Sequence, residues 1–196
     1  MKDFLNLLIN LAIIIVVICF VPVLFQLKEK RSEIGYADLK TPIWLGIQDF
    51  KKKYGINIIK YVIEQFLKGH PQDRLKYRFI TVGALSTKWL AFIWIVAVVV
   101  TKRNLKITSF FVPIMLLLAF NILHKFYLKM LLKALDYVLS KAEELFKNDE
   151  SAKSIKQTMA QQKIVLSMSL TEVNTFLKTS LTVGVLVALE MMIELV

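Results

Sequence analysis

Long stretches of this chain carry no charge, and they alternate with stretches dense in lysine. Residues 4–27, FLNLLINLAIIIVVICFVPVLFQL, contain no charged side chain in 24 positions. At 1.5 Å per residue, about 20 apolar residues cross a hydrocarbon core, so this run predicts a first transmembrane helix. It is longer than the apolar segment of a secretory signal and lacks a small-residue cleavage site, which favours a retained anchor. Asn6 and Asn10 lie one helical turn apart and mark a face for helix packing.

A second run, FITVGALSTKWLAFIWIVAVVV at 79–100, is interrupted only by Lys88. A third, ITSFFVPIMLLLAFNIL at 107–123, is uncharged. The seven residues TKRNLKI at 101–107 predict a tight turn, making 79–123 a transmembrane hairpin. Pro22 and Pro113 are read as local bends inside spans.

The last stretch, TEVNTFLKTSLTVGVLVALEMMIELV at 171–196, is more equivocal. At 100° per residue, Thr171, Glu172, Asn174, Thr175, Lys178, Thr179 and Thr182 fall within roughly 160° of arc. Val173, Phe176, Leu177, Val183 and Val187 occupy the other side. The pattern predicts a fourth, amphipathic transmembrane helix over 171–196. A charge within a span costs ~2.5–3.5 kcal/mol on insertion scales. One reading therefore puts Glu172 and Lys178 in the headgroup zone, with Lys178 snorkelling and the threonines bonding to neighbouring helices. The other surrounds an axis with several copies, so that Glu172, Asn174, Thr175, Lys178, Thr179 and Thr182 line a hydrated path. Lys88 is a second intramembrane charge, within snorkelling reach of an interface or placed to pair with Glu172.

Composition agrees with spans: 56% of residues are hydrophobic and mean hydropathy is +0.57, against ~45–50% apolar residues in soluble domains. The expected fold is an all-α integral membrane protein, a four-span helical bundle with a cytoplasmic helical extension. The chain has the order of two parallel hairpins, but its halves share no matching residues, so no internal repeat is inferred.

A net charge of +11 suggests nucleic acid in a soluble chain. Its placement argues for topology instead. Residues 28–78 hold 12 Lys/Arg against 6 Asp/Glu, and residues 125–163 hold 8 against 5. Only Lys2, Lys102, Arg103 and Lys106 fall on the opposite side. The positive-inside rule then makes 28–78 and 124–170 cytoplasmic and puts both termini outside. A plasma membrane is expected, a bacterial inner membrane first, and no direct nucleic-acid partner.

Within the first cytoplasmic segment, 56–68 has the pattern of an amphipathic helix. Asn57, Lys60, Glu64 and Lys68 form its polar face; Ile56, Ile59, Ile63 and Phe66 form its apolar stripe. Gly55 precedes it and Gly69-His70-Pro71 stops it. Such a helix either lies on the inner leaflet, with Lys51, Lys52, Lys53 and Lys60 near anionic headgroups, or packs on the protein's own helices. The second segment, 124–170, predicts a helical hairpin. Periodicity runs unbroken through 124–147, with Lys129, Lys133, Asp136 and Ser140 opposite Leu128, Leu131, Leu132, Leu135 and Val138. KNDES at 147–151 makes the turn, and helix resumes at Ala152.

Two histidines and one cysteine give no basis for a metal centre, and HExxH, a phosphate loop and GxSxG are absent from the sequence. Cys19 alone excludes an internal disulfide framework. No cofactor, metal or catalytic residue is expected. The leading expectation is a non-enzymatic multi-pass subunit that self-associates and presents cytoplasmic helices to a protein partner, with the lipid bilayer as its surroundings. The alternative is a small oligomeric channel or membrane-permeabilising protein lined by the polar face of the last helix.

Overall fold

The computed structural model describes residues 2–33, 35–101, 107–147 and 151–195, and among these no strand occurs. The helices are α1 (Lys2–Glu33), α2 (Tyr36–Tyr54), α3 (Ile58–Gly69), α4 (Asp73–Thr101), α5 (Phe111–Ser140), α6 (Ala142–Leu145) and α7 (Ala152–Leu195), with a 3-10 turn at Ile107–Phe110 before α5. Four of them, α1, α4, α5 and α7, are long and apolar enough to cross a membrane. The hairpin turn expected at 101–107 lies largely outside the described residues, as do positions 148–150 of the expected KNDES turn.

The chain divides into two compact units. Residues 1–27, 80–125 and 172–196 form one, here the span unit; 28–79 and 126–171 form the other, here the lysine-rich unit. The divisions fall where the long apolar runs of the sequence begin and end.

Within the span unit the helices alternate in direction. Phe20 of α1 meets Phe176 of α7 edge-on at 5.3 Å, and Asn10 further toward the α1 N-terminus meets Glu190 further along α7, so the two run antiparallel. On another side of α7, Ser180 faces Asn121 of α5 while Gly184 faces Ile114 and Met115, again antiparallel. Leu123 of α5 packs over Gly83 of α4. Helix α7 thus contacts both α1 and α5, and α5 contacts α4. Its interior is thin: Ile13, Ala91, Val98, Leu118, Val173 and Val187 are buried, whereas Leu7, Ile18, Phe92, Leu181 and Val185 are exposed.

The lysine-rich unit has a larger core, built from Phe50, Ile58, Val62, Phe66, Ala134, Leu135, Val138, Ala142, Phe146, Ile155 and Met159. Its first helix, α2, was not apparent as a helix in the sequence. Two glycines frame it. Gly35 (φ 64) turns the chain after α1, its N–H bonding to Ser32, and Gly55 (φ 67) closes α2 by donating to the Lys51 carbonyl. Nothing lies near the Cβ that a side chain at 55 would add, so conformation rather than space selects glycine there. At Gly46 the reason is space, because an added Cβ would collide with Thr158 of α7.

Helix α3 settles how its apolar face is used. Asn57 caps its N-terminus, accepting from the Ile59 N–H at 2.9 Å. Ile58, Val62 and Phe66 are completely buried among the unit's own helices, while Asn57, Lys60, Glu64 and Lys68 are exposed. The expected stripe is rotated slightly, its centre running along 58, 62 and 66. Each of these side chains, fully buried, contributes about 1.5–3 kcal/mol, and that burial is made in protein rather than in lipid.

The unbroken helix expected over 124–147 stops at Ser140. There the Ser140 hydroxyl donates to the Tyr137 carbonyl at 2.8 Å, and Lys141 takes non-helical angles before α6 begins. The break brings Ala142 and Phe146 into the core, where Phe146 joins Phe50, Tyr54 and Tyr61 in an aromatic cluster with ring centroids 4.5–6.2 Å apart. Local bonds bridge the break, with the Lys141 N–H donating to the Tyr137 carbonyl at 3.3 Å and the Leu145 N–H to the Lys141 carbonyl at 2.9 Å, while Phe146 gains aromatic partners. Upstream of the break, Leu128, Leu131, Leu135 and Val138 are buried as expected, with Lys129, Lys133, Asp136 and Ser140 outward.

Candidate functional site

The polar residues of the span unit fall into two groups. The first is the stripe on α7. Lys178 and Thr182 are exposed, and Glu172, Asn174, Thr175 and Thr179 are half-buried. The inward face of the same helix carries Val173, Gly184, Val187 and Glu190. Lys178 and Thr182 therefore turn toward the outside of the bundle, while Thr179 lines a cavity with Phe20, Ile114 and Leu117.

Two of its hydroxyls are bonded locally. Thr179 donates to the Thr175 carbonyl at 3.2 Å and Thr182 to the Lys178 carbonyl at 3.0 Å, one turn back along α7. This is the usual way a threonine satisfies its hydroxyl inside a helix. Ser180, off the stripe, meets a neighbouring helix, at 3.5 Å from the Asn121 amide. Lys88 is exposed on α4.

The second group was only half visible in the sequence. Glu190 is a buried acid, 6% exposed, on the inward face of α7. The Asn10 side-chain amide reaches it from α1, donating to Glu190 Oε1 at 3.2 Å and to the Asn6 backbone carbonyl at 2.9 Å. Both donors of that amide are thereby used. Three buried oxygens around them accept nothing: Glu190 Oε2, Asn10 Oδ1 and Asn6 Oδ1. Asn6 and Asn10, spaced four apart, signalled a packing face. Their partner was hidden because a lone glutamate near the end of an apolar run resembles an interfacial residue.

In the lysine-rich unit, Lys51, Lys52, Lys53 and Lys60 are all exposed. Lys53 donates to the Ser151 hydroxyl at 2.9 Å, and Lys60 lies 4.0 Å from Glu64 on the same helix. A groove lined by Gly46, Asp49, Phe50, Lys53, Tyr54, Ser151, Ser154, Ile155 and Thr158 opens beside them, with room for about 150 Å³. Trp44 and Leu45 are exposed on α2. Among the described residues no group of three or more His, Cys, Asp or Glu is arranged to hold a metal ion.

Comparison of the chain with protein-family models, with curated proteins and with solved structures gives no match.

Proposed function

We propose that the protein is a non-enzymatic, multi-pass membrane subunit that self-associates through α7 and offers the helices of its lysine-rich unit to a cytoplasmic protein partner. The outward aim of Lys178 and Thr182 carries this reading. A lysine facing lipid within a span costs ~2.5–3.5 kcal/mol on insertion scales. A neighbouring copy seated on that face removes the ammonium and the hydroxyl row from hydrocarbon. Helix α4 has the opposite character: Phe79, Leu85, Trp89, Phe92 and Val100 are exposed, a surface suited to lipid.

The distribution of lysine supports a cytoplasmic side for the lysine-rich unit in a plasma membrane. Lys51, Lys52, Lys53 and Lys60 suit contact with anionic headgroups there. Exposed Trp44 and Leu45 supply an apolar anchor for a protein partner of the kind that interfaces favour.

Cysteine crosslinking in membranes tests the association. With Cys19 replaced by alanine, single cysteines at Lys178 or Thr182 are expected to give disulfide-linked dimers, and cysteines at Val187 or Phe92 none. Monomer at 178 and 182 under the same oxidation would sink the reading.

The same outward stripe also favours a second reading, an oligomeric channel with Glu172, Asn174, Thr175, Lys178, Thr179 and Thr182 along its path. Ion flux through liposomes separates the two. A wild-type flux altered by Lys178→Leu and Glu172→Leu makes the stripe a lining. Crosslinked oligomers that pass no ions leave it a packing contact.

A further inference from the structure

We propose that Glu190, Asn6 and Asn10 form a binding site for one alkali-metal cation inside the helix bundle, Glu190 lying further along α7 on the line of Glu172, at the inward edge of the polar stripe. Three observations converge. Glu190 is more than nine-tenths buried, and no lysine, arginine or histidine among the described residues pairs with it. A buried acid without a basic partner is rare, because buried charges are paired or coordinate metals. Three side-chain oxygens, Glu190 Oε2, Asn10 Oδ1 and Asn6 Oδ1, are buried without a hydrogen-bond donor. Such groups are nearly always satisfied in folded proteins, so a cluster of them calls for a ligand that supplies positive charge.

The geometry selects the kind of ligand. Asn10 is held rigidly: its amide nitrogen bridges Glu190 Oε1 and the Asn6 carbonyl, which leaves its own oxygen free beside the carboxyl. Asn6 stands one turn away on the same face of α1. All three free atoms are hard oxygens, the ligand type of alkali and alkaline-earth ions rather than of soft metals. A single carboxyl balances one positive charge. Divalent calcium takes 6–8 oxygens and usually several carboxylates, so the site fits a monovalent ion. Acids inside a span mark ion pathways or binding sites by default.

The test uses the full chain in liposomes and a lipid-soluble carbodiimide, which adds to protonated buried carboxyls; peptide mass spectrometry reads the adduct at Glu190. Sodium chloride or potassium chloride is expected to slow this labelling several-fold against choline chloride at equal ionic strength. Labelling of exposed Glu143 should stay the same. Asn6→Leu and Asn10→Leu should abolish the protection while Glu190 still reacts. Thermal unfolding guards against a variant that fails to fold: either alkali salt should raise the wild-type midpoint and leave that of Glu190→Gln unmoved. Equal labelling of Glu190 in choline, sodium and potassium would overturn the proposal. So would an alkali-dependent midpoint that Glu190→Gln retains.

Discussion

The span unit and the lysine-rich unit are made in part from the same helices, yet they put their apolar side chains in opposite places. The early part of α7 buries Ile155 and Met159 and exposes Lys153 and Lys163. The late part exposes Leu181, Val185, Leu189 and Met192 and buries Glu190. Water drives the first arrangement, since apolar area removed from it contributes about 25 cal/mol per Å². Hydrocarbon gives no such drive. If the span unit lies in a bilayer, as proposed, its helices are held instead by close packing and by polar contacts such as Asn10–Glu190 and Asn121–Ser180. The lesson is that one continuous helix changes its pattern of burial along its length.

Core substitution gives the largest contrast between the units. Phe66 is 1% exposed and Phe92 is 58% exposed. Phe66→Ala should destabilise the folded protein by about 3–5 kcal/mol, read from denaturant unfolding in detergent micelles. Phe92→Ala should shift the same curve by far less, since its ring touches the surroundings rather than a core. Equal losses would mean that the α4 surface is an interface.

A smaller effect is expected where α2 crosses α7. A methyl at position 46 has no room against Thr158, and overpacking of this kind typically costs 1–3 kcal/mol, so Gly46→Ala should lose about that much. Adding Thr158→Ala to the same chain removes the colliding atoms and should restore most of the loss. Failure of the rescue would show that glycine at 46 serves α2 in some other way.

Much of this fold could be read before any coordinates. The first three apolar runs and the α5 periodicity were plain because each repeats one chemical signal many times, whereas the last run, with its charges, was equivocal. Helix α2 was not plain, since Pro42, Gly46 and a closing lysine run blur its pattern. The stop at Ser140 has no glycine or proline to announce it; it exists because Phe146 finds an aromatic cluster distant in sequence. The polar stripe of α7 was legible as a stripe, but its outward aim was not. A helical wheel fixes which residues share a face and leaves open what that face meets. Glu190 was hidden for the same reason, its meaning residing in Asn10 on another helix.

The smallest expected effects lie at the surface of the lysine-rich unit. Asp136 pairs with Lys163, and Lys156 donates to Glu143 at 2.9 Å, both between α7 and the preceding hairpin arm. Exposed pairs contribute little, so Asp136→Asn should move the unfolding curve only slightly, and less in high salt. Glu143 offers a sharper sign. The Lys156 hydrogen bond, and then its charge, hold the Glu143 carboxyl below the ordinary glutamate value. A depressed value in the folded state means that the pair's stabilisation is present above the unfolded glutamate range and fades as pH falls through the folded value. Glu143→Gln should therefore be slightly less stable than wild type at neutral pH and indistinguishable from it in acid. A difference that persists in acid would assign the effect to something other than this pair. In the span unit the comparable substitution, Asn10→Leu, would remove a buried contact that no bulk water replaces, and its penalty should exceed that of either surface pair.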